Sequence, residues 1–323
     1  MKLPCWDLKA MEKIMKAFLW HGTEEVKNGK CLVAWSSVQR PLELGGLGIQ
    51  DLTKFGMALR LRWLWRHKTE PDRLGSTFLF KKDAALSNFF KASVEAVLGD
   101  GTLIKFWIDP WIQGRSIENL APSLFRAVST RNRNHCLVVD ALPHTAWRRD
   151  ITGALTAQVL LEYTQPHQLL DGISLQQTPD RFIWRWNPKG EFSSSSAYRA
   201  MFLGQTATFG AKELWQTRAP NKCRFFVWLV LYGRVWTSER LQRHGLRNSG
   251  PCALCSQATE YLDHLLLSCV FSREVWFKVL RTNGWHHLAP TAEDTLIDWW
   301  LRSRKRVSRE RRKAFDSLVL LVS

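Results

Sequence analysis

Residues 251–269 read PCALCSQATEYLDHLLLSC and set Cys252, Cys255, His264 and Cys269 in a Cys-x2-Cys-x8-His-x4-Cys array. A Cys-x-x-Cys pair offers two thiolates to one ion from a single tight turn, and Zn2+ favours four sulfur and nitrogen donors in a tetrahedron. The spacing therefore predicts a small domain folded around one zinc ion. Four protein ligands leave no coordination position for water, so the expected ion is structural rather than catalytic. Three thiolates and a neutral imidazole around Zn2+ carry one formal negative charge. The ion then attracts no phosphate itself, and any phosphate affinity must come from the side chains it positions.

Of the seven cysteines, the other four are dispersed: Cys5, Cys31, Cys136 and Cys223 each read as small buried residues. An odd cysteine count with no secretory leader predicts a reducing compartment, nucleus or cytoplasm, with the nucleus favoured. The longest apolar run, 225–232, is too short to span a bilayer, so no membrane partner is expected. Lys and Arg number 46 against 29 Asp and Glu, a formal charge of +17, and this excess points to a polyanionic partner, RNA or DNA. At 45% hydrophobic residues the chain can fill a core.

Apolar residues at three- and four-residue steps predict a helix over 6–20, and a second after Asp51 with Leu52, Phe55, Leu59 and Trp63 as its buried stripe. CLVAWSSV reads as a short strand or extended segment and PLELGGLGI as a turn. VLGDGTLIKFWIDPW predicts one β-hairpin turning at Gly99-Asp100-Gly101, with Asp100 and Asp109 bonded to nearby backbone, and RFIWRWNPKGEF predicts another. Between them, 121–177 is weakly patterned, with one short helix near 154–163. The serine run from Ser193 offers a helix cap. A nearly all-apolar helix over 222–236, a Thr237- or Ser238-capped short helix, and a helix after Cys269 bracket the ligand array. Trp236 and Trp285 could stack on bases if exposed, but with 17 tryptophans in the chain both are expected in the core. The fold class is thus α+β, mainly helical, with two β-hairpins and a small helical zinc-binding domain.

Several stretches resemble a known family. LWQTRAPNKCRFFVWLVLYGRVWTSERLQRHGL followed by CALCSQATEYLDHLLLSCVFSREVW is similar to the reverse-transcriptase zinc-binding domain of plant non-LTR (LINE-type) retrotransposons. FLWHG, PLELGGLGIQDL, ALRLRWLWR, LGDGTLIKFWIDPW and GEFSSSSAY resemble segments between the polymerase palm and that domain, in the same order. The resemblance implies a remnant of the polymerase thumb over 1–70, a connector with a β-hairpin over 71–180, the zinc-binding domain over 181–285 and a basic C-terminal tail over 286–323, read as truncated within a helix. The family's polymerase uses an aromatic-Ala-Asp-Asp motif, and this chain contains no Asp-Asp pair. No catalytic residue and no small-molecule substrate are therefore expected.

The expected function is a retrotransposon-derived zinc-binding fragment that holds nucleic acid through basic residues around the metal. The candidates are Arg240, Arg243 and Arg247 before the array, Arg273, Lys278 and Arg281 after it, and Arg304, Arg306, Arg311 and Arg312 in the run RSRKRVSRERRK. The last run could equally be a solvated helix face or a nuclear-import signal. The alternative function is a zinc-stapled structural or protein-interaction remnant that binds no nucleic acid.

Overall fold

The computed structural model describes residues 4–23, 31–70, 83–246 and 250–323. Arg247 and residues 71–82 of the expected connector lie outside the described residues. In chain order the helices are α1 (Cys5–His21), α2 (Trp35–Val38), α3 (Leu52–Thr69), α4 (Ala84–Ser93), α5 (Ile117–Leu120), α6 (Pro122–Arg126), α7 (Thr130–His135), α8 (Val138–Ala141) and α9 (Ala157–Leu170). They continue as α10 (Ser194–Ala200), α11 (Ala211–Gln216), α12 (Asn221–Leu231), α13 (Ser238–Arg243), α14 (Val270–Thr282), α15 (Leu296–Arg306) and α16 (Arg312–Val322), so the fold is mainly helical, as expected. Strands β1 (Val94–Val97) and β2 (Arg181–Trp184) complete it. Among the described residues no helix is long and apolar enough to cross a membrane. The chain divides into two compact units, one over Leu52–Leu203 and the other formed by Cys5–Asp51 with Gly204–Ser323.

In the first unit a single antiparallel pair stands in place of the two expected hairpins: β1, which ends at Val97 where the first expected hairpin begins, pairs with β2 of the second, Val94 opposite Trp184 and Val97 opposite Arg181. The reason is a buried carboxylate. Asp180, just before β2, accepts the backbone N–H groups of Gly99 at 2.7 Å, Gly101 at 3.0 Å, Leu103 at 2.9 Å and Ile104 at 3.1 Å. Those donors would otherwise serve a returning strand, and the claimed segment curls into a loop instead. Gly99 permits the approach, because a Cβ there would sit 2.1 Å from the Thr178 carbonyl oxygen. The second turn does close, with Trp184 N–H donating to Gly190 O at 2.7 Å, but the chain then enters α10 through a Ser193–Ser196 capping box.

As expected for turn carboxylates, Asp100 accepts from Thr102 N–H at 3.1 Å and Asp109 from Lys105 N–H at 2.8 Å. Asp109 is also buried against Lys68 Nζ, 2.5 Å away, which pins the end of α3 to the loop. The stripe expected on α3 is displaced: Leu59 and Trp63 are 43% and 42% exposed, while Ala58 and Leu61 are buried. This helix is apolar on more than one face, so periodicity alone does not choose the inward one. The stretch 121–177 is also more than a connector. Helices α6, α8 and α9 and the 3-10 turns over Pro143–Asp150 bring Leu124, Val138, Val159 and Trp147 into the core beside Phe106, Trp107 and Trp184.

The second unit closes around four fully buried indoles, Trp228, Trp276, Trp299 and Trp300, each of which donates its N–H to an acceptor. Trp228 donates to Gly45 O, Trp276 to Leu266 O and Trp299 to Leu288 O, each at 2.8 Å, and Trp300 to Asp316 Oδ1 at 2.9 Å. The second half of CLVAWSSV forms the one-turn helix α2 rather than a strand, and Val33 before it and Val38 within it sit in this core. An apolar run of that length suits either form until packing selects one. The segment 286–323 is no appended tail, since Trp299, Trp300, Phe315, Val319 and Leu320 of α15 and α16 are buried. Of the lone cysteines, Cys136 and Cys223 are half-buried but Cys31 is exposed; Cys5 has no described side chain.

Asp180→Ala should strand four backbone donors and lower the urea unfolding midpoint of the first unit, at a cost of about 3 kcal/mol. Asp180→Asn keeps one acceptor oxygen and should cost less; equal midpoints for Asp180→Ala and the wild type would refute this role.

Candidate metal centre

The four residues of the array converge. Cys252, Cys255, His264 and Cys269 offer one donor atom each, all within 4.8 Å of one another, and all but Cys255 are buried. Local structure builds this from two pieces. In the first, Cys252 N–H donates to Ala258 O at 2.7 Å and Ser256 N–H to Cys252 O at 2.8 Å, and Ser256 takes a positive φ of 55°, making a knuckle. Its backbone points at sulfur: Leu254 N–H lies 3.4 Å from Cys252 Sγ and Gln257 N–H 3.5 Å from Cys255 Sγ. In the second piece, His264–Ser268 forms a π-helical turn that ends when Cys269 N–H donates to His264 O at 2.7 Å. The wider turn brings Cys269 round to His264. It also leaves carbonyls for side chains of α14 to satisfy, Leu265 O accepting from Ser272 Oγ at 2.5 Å and Leu266 O from Trp276 Nε1 at 2.8 Å.

The thiols are electrostatically unequal. The Gln257 N–H, helped by His264 and the two other sulfurs, holds Cys255 down at about 6, and its Sγ stands 3.3 Å from His264 Nε2. Burial pushes Cys269 up. One thiolate thus forms readily, while further ionisation next to it needs a cation. A zinc tetrahedron with Zn–S near 2.3 Å has edges of roughly 3.8 Å, so donors already this close can close on one ion by small side-chain movements. The donor set of three sulfurs and one imidazole fits Zn2+ and leaves no open position.

The array also joins two basic helices. Glu260, between Cys255 and His264, accepts Ser238 N–H on its side chain at 2.8 Å and Glu239 N–H on its carbonyl at 3.3 Å, tying down the start of α13. Cys269 is the residue before α14, and its carbonyl takes Arg273 N–H at 2.8 Å. Sequence reasoning did not single out Glu260, since nothing in a lone acid between two ligands distinguishes it from a solvated one.

The basic candidates fall into distinct settings. Arg273, Arg281 and Arg306 are exposed. Arg243 and Lys278 are exposed and, among the described residues, pair with Glu239 at 2.5 Å and Glu274 at 2.6 Å on their own helices, contacts that water and salt keep weak. Arg240 lies over the Trp236 ring at 4.3 Å and Arg311 over Trp285 at 4.8 Å. Trp285 is in the core as expected, whereas Trp236 is 48% exposed. Arg312 Nε donates to Val307 O at 3.1 Å, and Arg304 is drawn inward to Asp316 at 2.9 Å, so both help fasten α15 to α16.

Comparison with known proteins agrees with the resemblance read from the motifs. Residues 192–276, which include all four array residues, match the family described as zinc-binding in reverse transcriptase. Over 312 residues, 86% of the chain, the sequence is 26% identical to an Arabidopsis thaliana protein named "Putative ribonuclease H protein". The chain spans about half the length of that curated relative, 48%. No solved structure matches.

The Arg304–Asp316 pair carries a pH signature. Burial raises the Asp316 carboxyl, and Arg304 partly opposes the rise. Asp316 therefore holds its proton more tightly folded than unfolded; its contribution is fully present below the unfolded value of 3.8 and is lost as pH climbs through the raised folded value. Arg304→Ala raises that value further and should lower the unit's stability by about 3 kcal/mol at neutral pH, with a smaller loss near pH 4. Urea melts of wild type and variant at both pH values measure the difference.

Proposed function

We propose that the chain is a retrotransposon-derived zinc-binding fragment of a reverse transcriptase, in which Cys252, Cys255, His264 and Cys269 hold one structural Zn2+ and the surrounding basic residues hold RNA or DNA. The convergence of three sulfurs and one imidazole within 4.8 Å, inside the segment matched by the zinc-binding family, carries the metal half of this reading. The ion supplies cross-linking and no reaction step. The chain's own residues do the rest: Glu260 anchors α13 and Cys269 starts α14, so ligation sets the positions of Arg240, Arg243, Arg273, Lys278 and Arg281 together.

The formal charge of +17 supports the nucleic-acid half, as do basic side chains on both helices whose exposed pairs a phosphate can replace. Arg306 and Arg311 can add contacts; Arg304 and Arg312 serve chiefly the fold. The relative's name, a ribonuclease H protein, is in keeping with a nucleic-acid partner. In this reading the chain binds and does not catalyse, and it works in a reducing compartment, the nucleus before the cytoplasm. Nucleotide incorporation on a primed template, or cleavage of an RNA–DNA hybrid, by the purified chain would overturn that part.

Two measurements test the proposal. Elemental analysis of metal-replete protein should find one zinc per chain, and His264→Ala should lose it and expose 251–271 to proteolysis; zinc-free wild-type protein would refute the staple. Binding to single-stranded RNA should weaken as salt rises, with a log–log slope of about −0.7 per phosphate contacted. Substituting Arg273 and Arg281 together by Ala should flatten that slope by up to about 1.4, and an unchanged slope would remove α14 from the contact surface.

A further inference from the structure

Trp236 differs from four indoles that fill the core of its unit. Trp228, Trp276, Trp299 and Trp300 are at most 1% exposed, but Trp236 keeps 48% of its surface in water. It is nevertheless held in place. The Arg240 guanidinium lies 4.3 Å from its ring centroid, and the His244 ring stands edge-on at 5.5 Å and 64°. Thr237, the next residue, is buried and caps α13 by accepting Arg240 N–H, and Ser238 is tied to Glu260.

Arg240 is incompletely satisfied in this position. Its Nη1 is shut off from water and has no hydrogen-bond partner among the described residues. Its charge is disfavoured first by burial and then by Arg234 and Arg243, so like charges gather where a counter-anion is wanted. Arg234, two residues before Trp236, is exposed. The site thus combines a half-open indole, a cation against the ring and further cations beside it. Flat aromatic surfaces stack on nucleobases, and the nearby guanidinium groups suit the phosphates on either side.

We propose that Trp236, backed by Arg240, is a stacking platform for an unpaired base, and that this part of the metal-ordered domain therefore selects single-stranded over duplex nucleic acid; the proposal rests on the nucleic-acid reading above. Bases in a duplex are already stacked on their neighbours and present only edges and backbone, whereas a single strand offers open faces. Arg234 and Arg243 then serve the adjoining phosphates. Because α13 hangs from Glu260, the platform is assembled only when the ligand loop is ordered.

The test measures binding of the full zinc-loaded chain, by fluorescence anisotropy, to labelled oligouridine and to a blunt RNA duplex of equal length. Trp236→Ala should weaken oligouridine binding by about tenfold, with the salt slope and zinc content unchanged and duplex binding unaltered. Trp236→Phe, which keeps an aromatic face, should recover most of the loss. Oligouridine binding equal to wild type in Trp236→Ala, an equal loss on both probes, or loss of zinc would each overturn the platform. If the wild-type chain binds neither probe at low salt, the nucleic-acid reading itself falls, and the platform with it. If the wild type and Trp236→Ala bind oligouridine alike, only the platform falls.

Discussion

Three sulfurs and an imidazole nitrogen that lie within 4.8 Å of one another cannot all become ligands without a cation between them. One thiol, Cys255, gives up its proton easily; another, Cys269, is hindered by burial. A divalent ion removes the conflict by stabilising every thiolate at once, and its binding free energy is then available to order the loop. The consequences spread along hydrogen bonds rather than through the ion. Glu260 passes the order to α13, and Cys269 passes it to α14.

The rest of the second unit is arranged so that this loop has something to lean on. The π-helical turn that swings Cys269 towards His264 releases two carbonyls, and Ser272 and the buried Trp276 take them up. Trp276 in turn packs against Trp299, 4.8 Å between ring centroids, so the metal loop is continuous with the core built by α15 and α16. Basic residues in this unit consequently do two kinds of work. Arg304 and Arg312 face inward to a carboxylate and a carbonyl, while Arg273 and Arg281 face water.

The first unit solves a different problem, the folding of loop-rich sequence without a metal. Here carboxylates take the organising part: the buried Asp180 gathers four N–H groups, the buried Asp109 holds Lys68, and the half-buried Asp150 accepts the Trp107 indole N–H at 2.9 Å and the Asn132 side chain at 2.8 Å. Of the three, only Asp109 stands out in the sequence, as a turn residue. Apart from the local Lys105–Asp109 contact, these partners lie from 18 to 81 residues away, beyond the reach of local reasoning.

What could be read from the chain alone was whatever depends on neighbours a few residues apart. The four-ligand spacing, the Ser193 and Thr237 caps, the helices over Cys5–His21 and Val270–Thr282 and the excess of positive charge all belong to that class. Tertiary structure decided the choices between equivalent local options. It paired β1 with β2 instead of closing two hairpins, made a helix of Trp35–Val38, turned Ala58 and Leu61 inward on α3, left Trp236 outside and drew Arg304 inside. In each case periodicity or charge permits both outcomes, and the one adopted is fixed by a contact with a distant residue whose desolvated donor, acceptor or apolar surface must be matched.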